Sequence, residues 1–457
     1  MTDPDSLNVL LSPYGVVSRV ETAHELDSPE RLSFAVAGIG SGMPGRATSS
    51  YGRIQKGGLA VVNHVFSGGR AWDSPAMARF VAIAEGAERY AGFDILGEER
   101  IWATADELGG DCLDPARYPR CSPAEYGAAD CPMRPFDPAA RIRWSRGLDL
   151  VTGRETWVPS VMACPGLRDA VPAEGFTFRM STGMAVHTDP VEAVVQGVCE
   201  VVERDAAALA WLQRLPLPRI AAGDRSEAAQ AAIDWCAARS VETHLFDAST
   251  DLGVPVAYCV LADRRGRRAC HAVGAGTGRT LAAAADKALF EAIGMRAELR
   301  RAKGPVPDSP ADFRAMEDGA RYMGAADRAP AFAFLLDQAG TGAGRPALTE
   351  ALTEAPPDAL AEAPPDALPA APGLALRRLV SGLAAAGMRA VVVDRTPDEL
   401  AAAGLTAVNV IVPDLQPLSL HPRAQFKGHP RLYEAPARMG YRVLAQEELN
   451  PWPQPFA

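Results

Sequence analysis

One pattern occurs twice in this chain: a short segment rich in glycine and serine, an alanine-rich stretch, and then Glu-x-x-Glu-Arg. The first copy lies within residues 67–89 and the second within residues 181–204. A third, weaker copy runs from residue 274 along a run of alanines to residue 291. Glutamates three residues apart lie on the same face of an α-helix. The pattern therefore predicts two helices, each with two carboxylates and an arginine on one face.

The helices that carry these carboxylates are otherwise largely apolar. Residues 77–84 read Met-Ala-Arg-Phe-Val-Ala-Ile-Ala, a composition too apolar for a simple surface helix. Buried carboxylates need partners, and several of them cannot share a site without a cation. Because Mg²⁺ takes carboxylate and phosphate oxygens together, the pattern predicts a magnesium–nucleotide site between helices 74–91 and 189–212. The candidate metal ligands are Glu85, Glu88, Glu200 and Glu203.

Phosphate groups also need cationic or N–H donors. Arg70, Arg89 and Arg204 have planar guanidinium groups that suit phosphate oxygens. The Gly/Ser segments are predicted to be turns whose backbone N–H groups come close to phosphate. Each motif taken alone also fits a solvated helix face, so this alternative stays open.

Local signals divide the chain into four segments. We predict a β-rich N-terminal segment at 1–60, a core at 61–345 that carries both Glu-x-x-Glu-Arg motifs, an Ala/Pro-rich linker at 346–373, and a C-terminal α/β lobe with a proline-rich tail at 374–457. The linker contains a tandem Glu-Ala-Pro-Pro-Asp-Ala-Leu repeat whose prolines exclude regular structure.

Shorter signals place individual elements. Serine or aspartate followed by proline predicts the starts of the helices at 74 and 189. Further predictions are a strand, a turn and a second strand over 9–17, a strand over 254–261, and a helix over 281–300. The glycine cluster at 38–46 lacks the following helix that a dinucleotide-binding turn requires.

Charge and hydropathy limit the partners. The net charge of −10 over 457 residues argues against nucleic acid or an anionic membrane. No stretch approaches the ~18–20 apolar residues of a spanning helix, and the N-terminus does not resemble a secretion signal. We expect a cytoplasmic protein. The eight cysteines form no recognisable framework, so we expect reduced thiols rather than a zinc site.

The motifs resemble those of the YcaO superfamily. The similar segments are 67–70 with 85–90, and 181–185 with 196–206. The C-terminal Leu-Asn-Pro-Trp-Pro-Gln-Pro-Phe, with 412–417 and 430–433 upstream, is similar to the SagD-like branch, the peptide cyclodehydratases of azole-containing natural products. The resemblance implies an α+β YcaO fold, with pseudo-repeated Gly/Ser-turn–helix units around an ATP/Mg cleft.

The resemblance also implies an activity. Such enzymes use ATP and Mg²⁺ to phosphorylate a backbone amide oxygen of a ribosomally made precursor peptide after a Cys, Ser or Thr side chain adds to the carbonyl, which yields a thiazoline or oxazoline. It implies that the four glutamates above hold magnesium, and that five residues bind ATP. These are Arg70, Arg89, Ser181, Gln196 and Arg204.

The family's proline-rich terminus reaches toward the active site. The residues that this implies for catalysis are Pro451, Pro453, Pro455 and Ala457. Since the catalytic fold leaves no room here for a leader-binding winged-helix module, we expect a separate ThiF-like or winged-helix partner protein. An FMN-dependent azoline oxidase could act afterwards, and the protein could form a homodimer.

Two other readings stay open. The same ATP chemistry with sulfide or an amine as nucleophile gives a thioamide or an amidine, although the proline-rich terminus favours azoline formation. A non-catalytic YcaO-like scaffold is the other alternative, and the two intact Glu-x-x-Glu-Arg motifs argue against it.

Overall fold

The computed structural model describes residues 3–23, 28–40, 54–55, 58–59, 66–95, 100–221, 223, 225–266, 268–337, 367–419 and 421–456. These residues form two compact units. The first comprises residues 1–118, 132–198 and 389–412, and the second comprises residues 119–131, 199–388 and 413–457. Most of the predicted linker and the end of the glycine cluster lie outside the described residues.

The strands are short and pair antiparallel wherever the pairing is described. They are β1 (Val17–Ala23), β2 (Leu32–Ile39), β3 (Ile54–Gln55), β4 (Gly58–Leu59), β5 (Phe66–Trp72), β6 (Arg100–Ala103), β7 (Ile142–Asp149), β8 (Glu155–Pro159), β9 (Met184–His187), β10 (Val241–Asp247), β11 (Val256–Asp263), β12 (His271–Thr277), β13 (Val391–Asp394) and β14 (Thr406–Ile411).

The helices range from single turns to six turns. They are α1 (Pro75–Ala91), α2 (Ala105–Leu108), α3 (Pro123–Tyr126), α4 (Ser160–Ala163), α5 (Pro190–Leu212), α6 (Glu227–Ala237), α7 (Leu281–Arg301), α8 (Asp318–Met323), α9 (Ala333–Leu336), α10 (Pro372–Ala385), α11 (Asp398–Ala402) and α12 (Arg431–Arg438). No helix in the described part of the chain is long and apolar enough to span a membrane.

In the first unit, helix α1 lies against a three-stranded sheet of order β1-β2-β5. The Oγ atom of Ser74 accepts the Met77 N–H at 3.1 Å and caps the helix, and Pro75 supplies a first-turn residue that needs no N–H partner. Small residues allow close packing: a Cβ atom on Gly69 would lie 1.9 Å from the Ala78 carbonyl oxygen. Strand and helix backbones are therefore in direct contact at this point.

A second sheet completes the first unit. Its order is β6-β7-β13-β14-β9, and β8 pairs with β7. One core cluster joins α1 to this sheet through Met184 and Ala407, and a second cluster contains Trp144 and Val391. Strands β13 and β14, which the sequence places in a C-terminal lobe, thus lie beside strands from much earlier in the chain.

The second unit is built on a sheet of order β10-β11-β12. Every residue of β11 is buried. Helix α7 packs on one face, where Gly274 and Gly276 leave room for the backbone of the helix. The opposite face is covered partly by the C-terminal tail, since the Phe456 ring meets the Tyr258 ring edge-on at 5.7 Å.

The α+β class is confirmed, as are the helices predicted at 74–91, 189–212 and 281–300. Two local predictions are wrong. Residues 67–70 and 274–277 form strands rather than turns. Gly69 and Gly274 lack a side chain, which allows a helix to pack directly on the backbone of each strand. The first predicted strand, starting at residue 9, is replaced by a 3-10 helix over Ser6–Leu10.

Candidate functional site

The first Glu-x-x-Glu-Arg motif lies on α1 beside the edge of β5. Glu85 Oε2 accepts the backbone N–H of Gly68 at 2.8 Å. Its other oxygen, Oε1, accepts from Arg89 Nε at 3.2 Å and also from Arg89 Nη2. Gly68 is in the last strand of a three-stranded sheet, so Glu85 supplies its outward N–H with the acceptor that a further strand would provide.

The second motif is more deeply buried. The Glu203 side chain is only 3% exposed. Its Oε2 accepts from the Thr277 N–H at 2.8 Å, from Thr277 Oγ1 at 3.2 Å and from Lys287 Nζ at 3.1 Å. Arg204 lies 3.7 Å from Glu203 Oε1 and 3.6 Å from Glu200 Oε1. Helix α5 is therefore joined to the edge of β12 and to α7 through one carboxylate.

The charges around Glu203 decide its ionisation. Burial opposes the carboxylate, but Lys287 and Arg204, together with the hydrogen bonds, outweigh burial and hold the pKa of Glu203 below its usual value. The Glu203 charge in turn is the largest cause of the raised pKa of Lys287. For Arg204, burial disfavours the charge, but Glu203 and Glu200 more than compensate and raise its pKa. Glu203, Arg204 and Lys287 are thus all charged.

The third, weaker copy of the pattern provides a further carboxylate in the second unit. Glu291 Oε2 accepts the Ala275 N–H at 2.9 Å. Alternation along β12 directs the N–H groups of Ala275 and Thr277 to the same edge. Two carboxylates, from α5 and α7, therefore cap neighbouring N–H groups of one edge strand.

The sequence did not identify Thr277, Lys287 or Glu291 as site residues. Lys287 and Glu203 are 84 residues apart in the chain, so their contact depends on tertiary structure. The local signal that existed was the degenerate third copy, which pointed to Glu291.

The other predicted nucleotide-binding residues lie in the first unit. Arg70 is in β5, Ser181 is exposed ahead of β9, Gln196 is exposed on α5, and Glu88 is half-buried on α1. Within the described ranges, no three His, Cys, Asp or Glu side chains are grouped closely enough to hold a metal ion. The predicted set of four metal ligands stays a prediction.

The donor set can nevertheless be tested against a magnesium–nucleotide complex. In the second unit, Glu200, Glu203 and Glu291 offer the hard oxygen ligands that Mg²⁺ prefers. Arg204 and Lys287 supply two cations in the same cluster for phosphate oxygens. The types of donor therefore suit the group, while no three carboxylates in the described ranges lie close enough together to hold the ion.

The proline-rich tail lies in the second unit. Trp452 accepts a hydrogen bond from Trp211 Nε1 through its carbonyl oxygen at 3.0 Å. Pro453 and Pro455 are buried and Pro451 is exposed, whereas Ala457 lies outside the described residues. The Tyr258 ring, which Phe456 contacts, is on the same sheet face as Thr277, because Tyr258 pairs with Ala275. The tail therefore packs on the face that carries the Thr277 hydroxyl.

A match to a protein-family model identifies the family of this chain. The model described as YcaO cyclodehydratase, ATP- and Mg²⁺-binding, matches residues 71–416, well over half of the sequence. The chain belongs to the YcaO family, whose description includes binding of ATP and Mg²⁺. The match covers both Glu-x-x-Glu-Arg motifs except for the first few residues of the first copy.

Solved structures share the fold. A heterocyclase in complex with substrate and cofactor aligns with 100% of this chain and 58% of its own, at a TM-score of 0.76 and 22% identity. YcaO from Methanopyrus kandleri, bound with AMPPCP and Mg²⁺, aligns with 91% of this chain and 92% of its own, at a TM-score of 0.59 and 20% identity. At these identities the likeness shows the fold.

Among curated proteins, the chain is 33% identical over 174 residues to an "Uncharacterized protein in tfuA 3'region" of Rhizobium leguminosarum bv. trifolii. That alignment covers 35% of this chain and 38% of the relative. The chain thus spans 38% of this relative and 58% of the heterocyclase, in each case less than two thirds.

Proposed function

We propose that this protein is an ATP- and Mg²⁺-dependent cyclodehydratase, which converts Cys, Ser or Thr residues of a ribosomally synthesised precursor peptide to thiazolines or oxazolines. The observation that carries the proposal is the charged cluster around Glu203, within a chain that matches the YcaO model over residues 71–416. The assignment to the SagD-like branch is part of the proposal and rests on the C-terminal proline motif.

The proposed metal ligands are Glu85 and Glu88 on α1 and Glu200 and Glu203 on α5. The proposed nucleotide-binding residues are Arg70, Arg89, Ser181, Gln196 and Arg204. When bound, ATP would supply the phosphoryl group that turns the amide oxygen into a leaving group, and magnesium would neutralise the charge of the phosphates. The chain's own residues would hold and orient this complex.

The hydrogen bonds of Glu203 support its assignment. Its Oε2 atom has three donors, while the contact of its Oε1 atom with Arg204 is longer, at 3.7 Å. Oε2 can therefore fix the side chain to β12 and α7, and Oε1 would be the atom that meets a ligand. Lys287 joins Arg204 as a second candidate cation for phosphate, which extends the sequence prediction.

The tail is proposed to take part in the chemistry through Pro451, Pro453, Pro455 and Ala457. Its support is the packing of 452–456 on the sheet face that carries Thr277, whose hydroxyl donates to Glu203. The tail would then exclude water from the reacting amide, because an activated amide must lose its oxygen rather than be hydrolysed.

The proposed partners are a precursor peptide and a separate protein that binds its leader. A later FMN-dependent oxidase and a homodimer stay predictions. The similar heterocyclase structure holds a substrate and a cofactor, and the peptide on which this chain acts is to be identified by experiment.

The test is the release of ADP and phosphate with and without a precursor peptide and its leader-binding partner, together with the mass of the peptide. We expect peptide-dependent hydrolysis and the loss of one water for each modified residue. Mass gain from exchange of oxygen for sulfur, seen only with sulfide, would favour thioamide formation. No turnover by folded protein with a competent partner would contradict an enzymatic role.

A matched pair of variants ties the activity to the cluster. Glu203→Gln should abolish turnover, since the amide cannot replace the carboxylate charge. Glu174→Gln is the control, because Glu174 is also buried and paired with an arginine, Arg143, but lies outside the proposed site. We expect Glu174→Gln to lower stability and to leave the kcat of the folded protein unchanged. Equal loss of kcat in both variants would contradict the assignment.

A further inference from the structure

A second charged group in the second unit is entirely buried and has no part in the proposed chemistry. Arg431 of α12 donates to Asp205 from Nε at 3.1 Å and from Nη2 at 2.8 Å. The same guanidinium lies 2.7 Å from Asp251, which follows β10. Asp205 is 0% exposed and Arg431 is 2% exposed. One arginine thus bridges two carboxylates whose side chains are at most 5% exposed.

The position of Asp205 relates this group to the candidate site. Asp205 follows Glu203 by two residues on α5, so the two side chains point about 200° apart around the helix axis. Glu203 reaches the edge of β12 on one side. On the other side, Asp205 is held by Arg431 and by the Gln416 N–H at 2.8 Å. Helix α5 is therefore held from two opposite sides within a single turn.

The rest of the C-terminal segment continues this contact. The Leu212 carbonyl at the end of α5 accepts the Asn450 N–H at 2.8 Å. Gln213 exchanges two hydrogen bonds with the Leu444 backbone, at 2.8 and 3.2 Å. Four residues of the C-terminal segment thus contact the second half of α5 and the residue that follows it: Gln416, Arg431, Leu444 and Asn450.

We propose that the Asp205–Arg431–Asp251 group is a positioning device that fixes the rotation of α5, so that Glu203 faces the edge of β12. Loss of its bidentate geometry would let α5 turn or shift, and Glu203 would then release the Thr277 N–H. The link to nucleotide binding rests on the proposed function, whereas the link to β12 is a property of the fold alone.

The first variant is Arg431→Lys, which keeps the positive charge but loses the planar fork. The second is Asp205→Asn, which can still accept the Gln416 N–H but loses the charge. Arg143→Lys is the control, since Arg143 also makes a bidentate contact with a buried carboxylate, that of Glu174, in the first unit. All three are compared in the full chain, at a temperature where circular dichroism shows each to be folded.

Two readouts separate positioning from a general loss of stability. The first is hydrogen–deuterium exchange at the Thr277 amide, which should become faster in both variants and not in the control. The second is the affinity for Mg·ADP by calorimetry, which should fall by about tenfold or more in both variants, the loss expected when a charged contact is misplaced.

Unchanged exchange at Thr277 in folded Arg431→Lys and Asp205→Asn would overturn the inference, as would an equal change in the Arg143→Lys control. If the wild-type protein does not bind Mg·ADP, the proposed function fails, and the exchange measurement alone then decides the inference.

Discussion

Three glutamates in this protein accept hydrogen bonds from backbone N–H groups of two edge strands, β5 and β12. Glu85 caps Gly68, Glu291 caps Ala275 and Glu203 caps Thr277. Unpaired N–H groups at a sheet edge attract other strands, and a carboxylate that accepts such an N–H blocks this pairing. The same carboxylate becomes fixed in direction, which is the condition for a ligand site of defined geometry.

The buried hydroxyl of Tyr258 allows a test of how an unpaired polar group affects stability. Its hydroxyl is buried and has no hydrogen-bond partner among the described residues, although its ring packs against Phe456. A buried donor without a partner destabilises the folded state. We therefore expect Tyr258→Phe to leave the free energy of unfolding unchanged or to raise it by up to about 1 kcal/mol, measured by urea denaturation.

Tyr118→Phe is the matched control for this prediction. Tyr118 is equally buried, but its hydroxyl donates to the Leu113 carbonyl oxygen at 2.8 Å. Its loss should lower the free energy of unfolding by about 1 kcal/mol. An equal loss of stability in Tyr258→Phe would show that the Tyr258 hydroxyl has a partner in solution.

At the level of elements, the two units repeat one arrangement. A three-stranded antiparallel sheet ends in an edge strand, β5 or β12, and the next long helix, α1 or α7, packs on it. Each helix meets the strand backbone at a glycine, Gly69 or Gly274, and its glutamate caps the N–H of a residue adjacent to that glycine. The first and third copies of the sequence pattern thus share this contact, whereas Glu203 of the second copy caps β12 from α5.

This contact can be tested with two neighbouring glycines of β5. A Cβ atom at Gly69 would lie 1.9 Å from the Ala78 carbonyl oxygen, which is part of the α1 backbone and cannot move aside locally. We expect Gly69→Ala to lower the free energy of unfolding by about 3 kcal/mol or more. At Gly68 the nearest atom to a Cβ would be 3.9 Å away, so Gly68→Ala should change stability by less than about 1 kcal/mol.

Both changes in the free energy of unfolding are to be measured by chemical denaturation, monitored by circular dichroism. Similar stabilities for Gly69→Ala and Gly68→Ala would mean that α1 does not pack on β5 as closely as the structure has it.

Elements with local signals were predictable from the sequence. Helix α1 and helix α5 start at Ser74 and Asp189 as predicted, because capping side chains and the proline that follows act within one turn. The glycine-rich strands were not predictable, since Gly69 and Gly274 stand in strands to allow a helix to approach. Local propensity assigns such glycines to turns.

The residues of the candidate site also fall into those that the sequence predicted and those that it did not. The motifs identified Glu85, Glu203 and Arg204, because spacing on a helix is a local property. They did not identify Thr277 or Lys287, since those residues meet Glu203 only after β12 and α7 pack beside α5. Partner residues of this kind follow from tertiary structure.

At the scale of the whole molecule, the chain crosses between its two units repeatedly. Residues 119–131 belong to the second unit, and residues 389–412 return to the first. Within the second unit, Glu125 accepts the N–H groups of Gln425 and Lys427 at 2.6 and 2.9 Å. Stability of that unit therefore depends on segments about 300 residues apart, and their unfolding should be cooperative.

Two buried histidines beside these segments predict how stability depends on pH. Burial lowers the pKa of His421 and of His429 to about 4. His429 donates from Nε2 to the Asp414 carbonyl oxygen at 3.1 Å, and its Nδ1 atom has no partner in the described part of the chain, so protonation would place an unpaired charge in the interior. In the unfolded chain both rings titrate near pH ~6.5.

Between about pH 6.5 and pH 4 the unfolded state thus binds more protons than the folded state, and stability must fall as the pH falls through this window. Each ring contributes about 3 kcal/mol to that loss.

Urea denaturation at several pH values should show this loss of stability. In the double variant His421→Gln/His429→Gln, the free energy of unfolding should depend on pH with a smaller slope, because glutamine does not titrate. The difference between the two slopes isolates the histidines from the carboxylates that titrate at the acidic end. Equal slopes for wild type and double variant would mean that protons reach these rings in the folded protein, and that the segment 413–431, which also holds Arg431, opens more readily than its burial indicates.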